Sequence, residues 1–517
     1  MNKYISIGIA ILIVGLLYGN LFAKKIDLTT ADLGRHLQNG KIILEGIGNS
    51  NWQSVGEILN KNTYSYTEPE QPFINHHWLS GVLYFLVFGA AGFIGLSLLN
   101  VLVLFAALFL ALFLAKREVG LWWVVALSVF LPPVIASRTE VRPESFTYLL
   151  FILYFTLLWL WQSGSISKKW LYALPILQLL WVNLHIGFVF GCFVLFVFTL
   201  VHFIFYLFKK ENKFLEILPV AILAALATLL NPHFLAGALY PLAIFKGYGY
   251  TIVENQSIGF LENLKFIQPG FIFWKLCAFF GASLICWQGW VAKKEKETWI
   301  VAGVWFTLLI LSYLAIRNFP LFGLFSIFSI SWAIGKIKNM TATNVALVCI
   351  LLFAIYGFVT TIKVIEGNRE IKGFGTLSQI SQSAEFLKEN KISGPIFNNY
   401  DVGGFLIYHL YPEQKVFTDN RPEAYSSDFF DKVYKPMQTD PIVWREADKK
   451  YNFNTIFFSH RDYTGWGQAF LISRINDPAW VPVFVDQYVI ILLKRNTANN
   501  SVIQKFEIPK SRFSIKS

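Results

Sequence analysis

Long apolar runs, broken by short polar stretches, fill the first two thirds of the chain. The first covers residues 4–22 (YISIGIAILIVGLLYGNLF). Further runs read as 92–115, 120–136, 145–162, 170–185, 187–208, 214–230, 270–291, 298–316, 319–335 and 343–362. Each is near the ~20 residues that span a bilayer as a helix, so the pattern predicts about eleven transmembrane helices. At 185–187 only His185 and Gly187 interrupt the run. The first run exceeds the roughly 7–15 residues of a signal-peptide core. It therefore reads as a retained anchor, although Leu21-Phe22-Ala23 is a passable cleavage site.

Two stretches break the pattern. One is the first loop, 23–91. The other is the tail from 363 to 517, long enough for a core of its own. In the tail, Ser381–Asn390 has helical spacing, and Lys415–Thr418, Thr455–Ser459 and Val481–Leu493 read as strands. The expected architecture is an α-helical polytopic membrane domain over 1–362, its first outer loop at 23–91, followed by a C-terminal extracytoplasmic α/β domain over 363–517. No repeat of fixed period is visible.

Composition agrees. Of 517 residues, 55% are hydrophobic and 15% are charged, and mean hydropathy is +0.50. A soluble chain carries about 25% charge, so a large soluble enzyme and a disordered protein are both excluded. The four cysteines, Cys192, Cys277, Cys286 and Cys349, lie in apolar stretches without CxxC spacing. That argues against a zinc ribbon or a disulfide framework. The net charge of +12 sits largely in lysine groups between spans. Lys3, Lys116-Arg117, Lys168-Lys169, Lys209-Lys210-Lys213, Lys293-Lys294-Lys296 and Lys336-Lys338 all fall on one side. By the positive-inside rule that side is cytoplasmic. The N-terminus is then inside, the tail outside, and the protein multi-pass in the inner (plasma) membrane. Nucleic acid is not an expected partner.

The unusual polar residues collect on the opposite side. Asp32, His36, His76, His77, Arg138, Arg142, Glu144, Asn183, His185, Asn231, His233, Glu254, Arg317 and Asn318 all lie at outer ends of spans or in outer loops. Midplane charges are few, and Lys275 is close enough to its helix end to snorkel. An ion-coupled transporter would place carboxylates or broken helices near the midplane. The working surface is expected at the outer boundary instead.

The first loop is densest in chemistry. Asp32 and His36 are four apart, so one helical face presents both. A carboxylate there suits a general base or a ligand to a divalent cation; the plain alternative is a helix cap. His76 and His77 precede Trp78 where the chain re-enters the interface. Adjacent residues share no helix face, so joint metal binding needs a non-helical backbone; the alternative is an aromatic belt with incidental histidines. In Ser137-Arg138-Thr139-Glu140-Val141-Arg142-Pro143-Glu144, two arginines in a tight turn suit a phosphate, or else pair with Glu140 and Glu144. Arg317, His185 and Asn231 sit in similar outer turns. In the tail, Tyr400-Asp401-Val402-Gly403-Gly404 opens a helix with Asp401 as expected N-cap, and Asp419 reads as a cap or turn residue.

Together these motifs resemble the GT-C superfamily of integral-membrane glycosyltransferases. A closer resemblance is to a group of bacterial membrane proteins with Asp-Leu-x-x-His-Leu-x-x-Gly (Asp32 to Gly40), His-x-Trp-Leu (His76 to Leu79), Arg-Pro-Glu (Arg142 to Glu144), Asn-Leu-His (Asn183 to His185), Leu-Asn-Pro (Leu230 to Pro232) and Asn-Tyr-Asp-x-Gly-Gly (Asn399 to Gly404). The resemblance implies a polyprenyl-phosphate-linked sugar donor and a glycan, lipid or protein acceptor. It implies that Asp32 activates the acceptor or holds a metal beside the donor phosphate. His36, His76 and His77 join it as catalytic candidates. Arg138, Arg142, Glu144, His185, Asn231, Arg317 and Asp401 are substrate-binding candidates. The chain lacks the Asp-x-Asp or Glu-x-Asp pair of several GT-C enzymes. A divalent metal, Mg or Mn, is thus left open, and arginines are the physical substitute. A flippase for a lipid-linked intermediate, a non-catalytic scaffold, and acyl transfer through His76 are the alternative readings.

Overall fold

The computed structural model describes residues 3–245 and 247–513; the last residues of the expected tail, 514–517, lie outside them. The chain divides into two compact units. One comprises Met1–Lys25, Ser97–Pro241 and Ile252–Phe374; the other comprises Ile26–Leu96, Leu242–Thr251 and Gly375–Ser517. Most of the first outer loop thus belongs with the tail, not with the spans.

Among the described residues eight helices are long and apolar enough to cross a membrane, which makes the chain a multi-pass membrane protein. They are Lys3–Phe22, Trp78–Glu118, Glu144–Gln162, Ile186–Lys209, Pro269–Val291, Lys296–Leu314, Ile316–Gly335 and Met340–Gly367. The other three expected spans form shorter helices. Segment 120–136 breaks into Leu121–Phe130 and Pro132–Ile135, because Pro132 and Pro133 bring no backbone N–H to continue the ladder. Segment 170–185 begins as the tight turn Lys168–Tyr172 and continues as Ala173–Leu184. Segment 214–230 is helical over Lys213–Ala227, with Pro219 inside. Within Trp78–Glu118, Gly92 takes φ 59° and ψ −156°, a backbone that only glycine adopts cheaply. The expected span at 92–115 begins at that kink.

In the first unit the Ile316–Gly335 helix is 89% buried over its apolar window and Glu144–Gln162 is 78% buried, against 28% for Lys3–Phe22 and Met340–Gly367. The first two form the core; the last two leave apolar side chains such as Ile11 and Leu352 exposed, a surface suited to lipid. Two buried indoles are satisfied inside this core: Trp274 Nε1 donates to Ser312 Oγ at 2.8 Å and Trp305 Nε1 to Ser326 Oγ at 3.1 Å.

The second unit is built on a four-stranded sheet in the order β1-β2-β4-β3, with β1 Ile396–Asn398, β2 Thr455–Phe458, β3 Trp480–Val485 and β4 Ile490–Lys494. β1 and β2 are parallel; the other pairs are antiparallel. The expected strand Val481–Leu493 is therefore a hairpin. Phe397, Phe458, Phe470, Trp444 and Trp480 fill the core beside it. The expected helix at Ser381–Asn390 runs Gln382–Glu389. Segment Lys415–Thr418 is not a strand of this sheet: Val416 makes an isolated parallel bridge with Ser65 of the first loop, bonding Tyr64 O and Tyr66 N, while Phe417 N donates to the Asn398 side chain and so extends no ladder.

Two close helix approaches position the first-loop residues. A Cβ on Gly34, in the Leu33–Gly48 helix, would come within 2.5 Å of Gly404 O, in the Gly403–Leu410 helix. A Cβ on Gly81, in the Trp78–Glu118 helix, would come within 2.8 Å of His36 O. Only glycine permits these backbones to touch. Asp401 is not the N-cap of Gly403–Leu410. That position is Val402, in the αR region, and Asp401 lies one residue before it.

Candidate functional site

All but Asn231 of the sequence-derived candidates lie in two groups, one in each unit. In the second unit Asp32 occupies the N-cap position of Leu33–Gly48 with φ −67° and ψ −9°, but its side chain makes no capping bond. It accepts instead from Asn420 Nδ2 at 2.6 Å. The capping alternative therefore does not describe this carboxylate. One turn on, His36 is buried; its Nε2 lies 3.5 Å from Arg35 Nη2. Its ring meets His77 at 5.5 Å and Tyr84 at 6.2 Å between centroids, and His77 meets His76 at 4.0 Å. His76 and His77 precede the helix in a turn, the non-helical backbone that lets neighbouring imidazoles converge. His76 Nδ1 lies 3.0 Å from Ile74 O.

The tail turn that supplies Asn420 is held rigidly. Arg421 donates from Nε and Nη2 to the two Asp419 oxygens, both at 2.7 Å, and from Nη2 to Asn62 Oδ1 at 2.7 Å. Tyr425 OH donates to Asp419 Oδ2 at 3.0 Å. The guanidinium lies over Phe73 at 4.8 Å and Tyr64 at 5.1 Å. Burial opposes the charge of Arg421, but the Asp419 carboxylate outweighs it and the guanidinium is raised above its ordinary range. Asp419 is thus half of a buried ion pair. Its expected role as a simple cap or turn residue is replaced. On the same turn Glu423 is raised above the usual carboxylate range. Burial is the main cause; Asp32 adds to it, and Arg35 and Arg421 oppose it. Asp32, Arg35, Asn420 and Glu423 thus form one electrostatic group. Asp401 lies beside Tyr250, Tyr400 and Tyr434, whose phenols burial raises and its charge raises further. Tyr250 stacks on Tyr400 at 4.1 Å.

In the first unit, Arg138, Arg142, Glu144 and Arg317 come together. Arg138 pairs with Glu144 at 2.9 Å and Glu254 at 3.4 Å. Arg142 pairs with Glu254 at 3.2 Å, and Arg317 with Glu144 at 3.4 Å. Arg317 Nη1 also donates to Asn255 Oδ1 at 2.8 Å. Three guanidiniums therefore share two carboxylates. Glu140, expected as a partner, lies 3.9 Å from Lys24. Burial pushes Glu254 up, but Arg138 and Arg142 hold its carboxyl down at about 2. His185 Nδ1 accepts from Gly187 N at 3.0 Å and lies 2.7 Å from Thr147 Oγ1, which places the proton of the neutral ring on Nε2. Asn231 is set apart in its own turn, bonding Thr228 O, Phe234 O and His233 N.

Residues that sequence reasoning did not select are Asn420, Glu423, Arg35 and Asn255. Glu254 was noted only as an outer polar residue. The Asp-Asn-Arg-Pro-Glu run at 419–423 is the one local signal, since so polar a run seldom enters a core. Among the described residues no group of three or more His, Cys, Asp or Glu has the arrangement of a metal site. Asp32 and Glu423 alone make a short donor set for a divalent cation, which favours 6 or more oxygens.

Structure comparison finds known proteins of similar fold. An archaeal oligosaccharyltransferase, AglB from Archaeoglobus fulgidus, in complex with an inhibitory peptide and a dolichol-phosphate, aligns with TM-score 0.58 at 13% identity over 94% of this chain and 73% of its own. ArnT from Cupriavidus metallidurans, bound to undecaprenyl phosphate, aligns with TM-score 0.52 at 12% identity over 95% of this chain and 97% of its own. The chain has the GT-C fold. The resemblance read from the motifs holds at that level. A further structure of the A. fulgidus enzyme, complexed with Zn and sulfate, aligns with TM-score 0.56 at 12% identity over 95% of this chain and 73% of its own. No protein-family model and no curated protein sequence matches the chain.

Proposed function

We propose that this protein is a membrane glycosyltransferase that takes a sugar from a polyprenyl-phosphate donor at the outer face and transfers it to a glycan, lipid or protein acceptor. The observation that carries the reading is the fold shared over nearly the whole chain with two solved proteins holding polyprenyl phosphates. The lysine asymmetry supports a cytoplasmic N-terminus and an extracytoplasmic second unit.

The roles follow from each cluster's chemistry. In the second unit, Asp32 removes the proton of the acceptor hydroxyl as its oxygen bonds to the anomeric carbon. The bond from that carbon to the donor phosphate breaks, and the electron pair leaves with the polyprenyl phosphate. A carboxylate also favours the positive charge that grows on the sugar ring. In the first unit, Arg138, Arg142 and Arg317 are cations suited to a phosphate. They are planar donors that bind phosphate oxygens in pairs. Their present carboxylates are partners a phosphate can replace.

The test is turnover by the purified protein with a panel of polyprenyl-phosphate sugars and candidate acceptors, read as release of polyprenyl phosphate. Parallel arms contain EDTA, Mg or Mn. Turnover by wild type that is lost in Asp32→Asn supports the reading. Donor binding without release under every acceptor condition overturns it in favour of a transporter or scaffold.

A further inference from the structure

We propose that Asn420, from the tail, is a positioning residue for the Asp32 carboxylate, so that the tail completes the reactive centre of the first loop. The inference rests on the reading of Asp32 as base. Its foundation is geometric. The two residues are 388 positions apart in sequence, and Asn420 Nδ2 donates to Asp32 Oδ1 at 2.6 Å. A carboxylate accepts and cannot donate, so the amide orientation is settled by its partner.

The amide is spent differently from its neighbours. Asn398 donates to Asn399 O and Thr418 O and accepts from Phe417 N. Asn399 donates to Asp462 and accepts from Ser459 N. Both are satisfied at each end, as asparagines that only hold loops together should be. Asn420 Oδ1 is buried, and among the described residues no donor reaches it. Leaving a buried acceptor unmade is unfavourable. The fold tolerates that in order to aim the donor end at Asp32.

The backbone is built to hold this aim. The Asp419–Arg421 pair flanks Asn420 on both sides and is locked to Asn62 of the first loop. The Gly34–Gly404 contact fixes the Asp32 helix against the tail helix, and the Asn420 amide nitrogen lies 3.3 Å from the position a Gly404 Cβ would take, closer than ordinary contact. A hydrogen bond through a rigid turn fixes which carboxylate lone pairs face the acceptor. Misplacement of a reacting group by a fraction of an ångström costs rate more than binding.

The experiment compares wild type, Asn420→Leu, Asn420→Gln and Asp32→Asn in the full-length protein. One readout is carbodiimide–amine labelling of Asp32, mapped by mass spectrometry, which needs no turnover. The other is the kcat and KM of donor consumption. Asn420→Leu should label Asp32 several-fold faster while unfolding at the wild-type temperature. It should lower kcat on the order of tenfold to a hundredfold with KM unchanged, and Asn420→Gln, which keeps the donor, should restore part of it. Unchanged labelling in a folded Asn420→Leu protein overturns the inference, as does unchanged kcat in an active enzyme. Wild type that never turns over, with labelling altered as expected, upholds the Asn420 contact and counts against the glycosyltransferase reading instead. If Asn420→Leu fails to fold, unchanged kcat in Asn420→Gln, with Asp32 labelling as in wild type, overturns the inference, and reduced kcat with faster labelling supports it.

Discussion

Arg421 in the second unit and Arg138, Arg142 and Arg317 in the first all face carboxylates, but their surroundings differ. Arg421 is 1% exposed, forks onto a single Asp419, donates to Asn62 and lies between two aromatic rings. Solvent hardly reaches that guanidinium. The three arginines of the first unit have side chains 13–30% exposed and share Glu144 and Glu254. Solvent reaches these guanidiniums, so an incoming phosphate can meet their charge. The same residue type thus serves as a structural anchor in one unit and as a candidate ligand-binding cation in the other. What separates them is the ratio of charges and the access of solvent.

The largest effect should come from breaking the closed pair. Arg421→Ala leaves Asp419 buried without its counter-charge, and removing one partner of a buried ion pair costs about 3–5 kcal/mol. Loss of a cooperative unfolding transition, or of expression, checks this. The open cluster should behave otherwise. Arg142→Gln is expected to retain its unfolding temperature within a few degrees and to weaken polyprenyl-phosphate binding roughly tenfold, the scale of one charge-assisted hydrogen bond. Equal destabilisation by Arg421→Ala and Arg142→Gln would break the comparison.

Glu254 sharpens it further. This carboxylate competes for Arg138 and Arg142, so Glu254→Gln should tighten phosphate binding a few-fold, read by titration with polyprenyl phosphate. Its folded-state value is depressed from 4.5 to about 2. Its stabilisation is therefore fully present above pH 4.5 and is lost as pH falls toward 2. The difference in unfolding temperature between wild type and Glu254→Gln should be constant above pH 4.5 and close below it. The smallest effect is expected at Asn231, whose bonds stay inside one turn: Asn231→Ala should leave donor binding unchanged.

The sequence made the closed and open sites legible to different degrees. Arg138, Arg142 and Glu144 lie within seven residues, so a turn had to bring them together. Arg317 was readable as another outer-end arginine. Glu254 was only one of several polar residues in a long loop. The Asp419–Arg421 pair was local in sequence, yet its burial was not, because the residues that enclose it, Asn62, Tyr64 and Phe73, come from the first loop. The spans were legible because hydropathy is a local property. Leu121–Phe130 and Pro132–Ile135 show its limit: proline breaks a helix without lowering the apolar average. The strand expected at Lys415–Thr418 shrinks to a single bridge for a long-range reason, since Val416 pairs with Ser65 of the first loop and the Asn398 side chain takes the next amide. The same reason hid Asn420, whose partner is 388 residues away.

The most direct test of the account is a comparison of Asp32→Asn with Arg142→Gln under single-turnover conditions over a range of donor concentrations. The account predicts that Asp32→Asn binds donor as wild type does and loses rate at saturation by about a hundredfold or more, the scale of general-base catalysis. Arg142→Gln should lose rate chiefly below saturation. Wild-type rate in Asp32→Asn at saturating donor would contradict the account, because the carboxylate would then have no part in the chemical step.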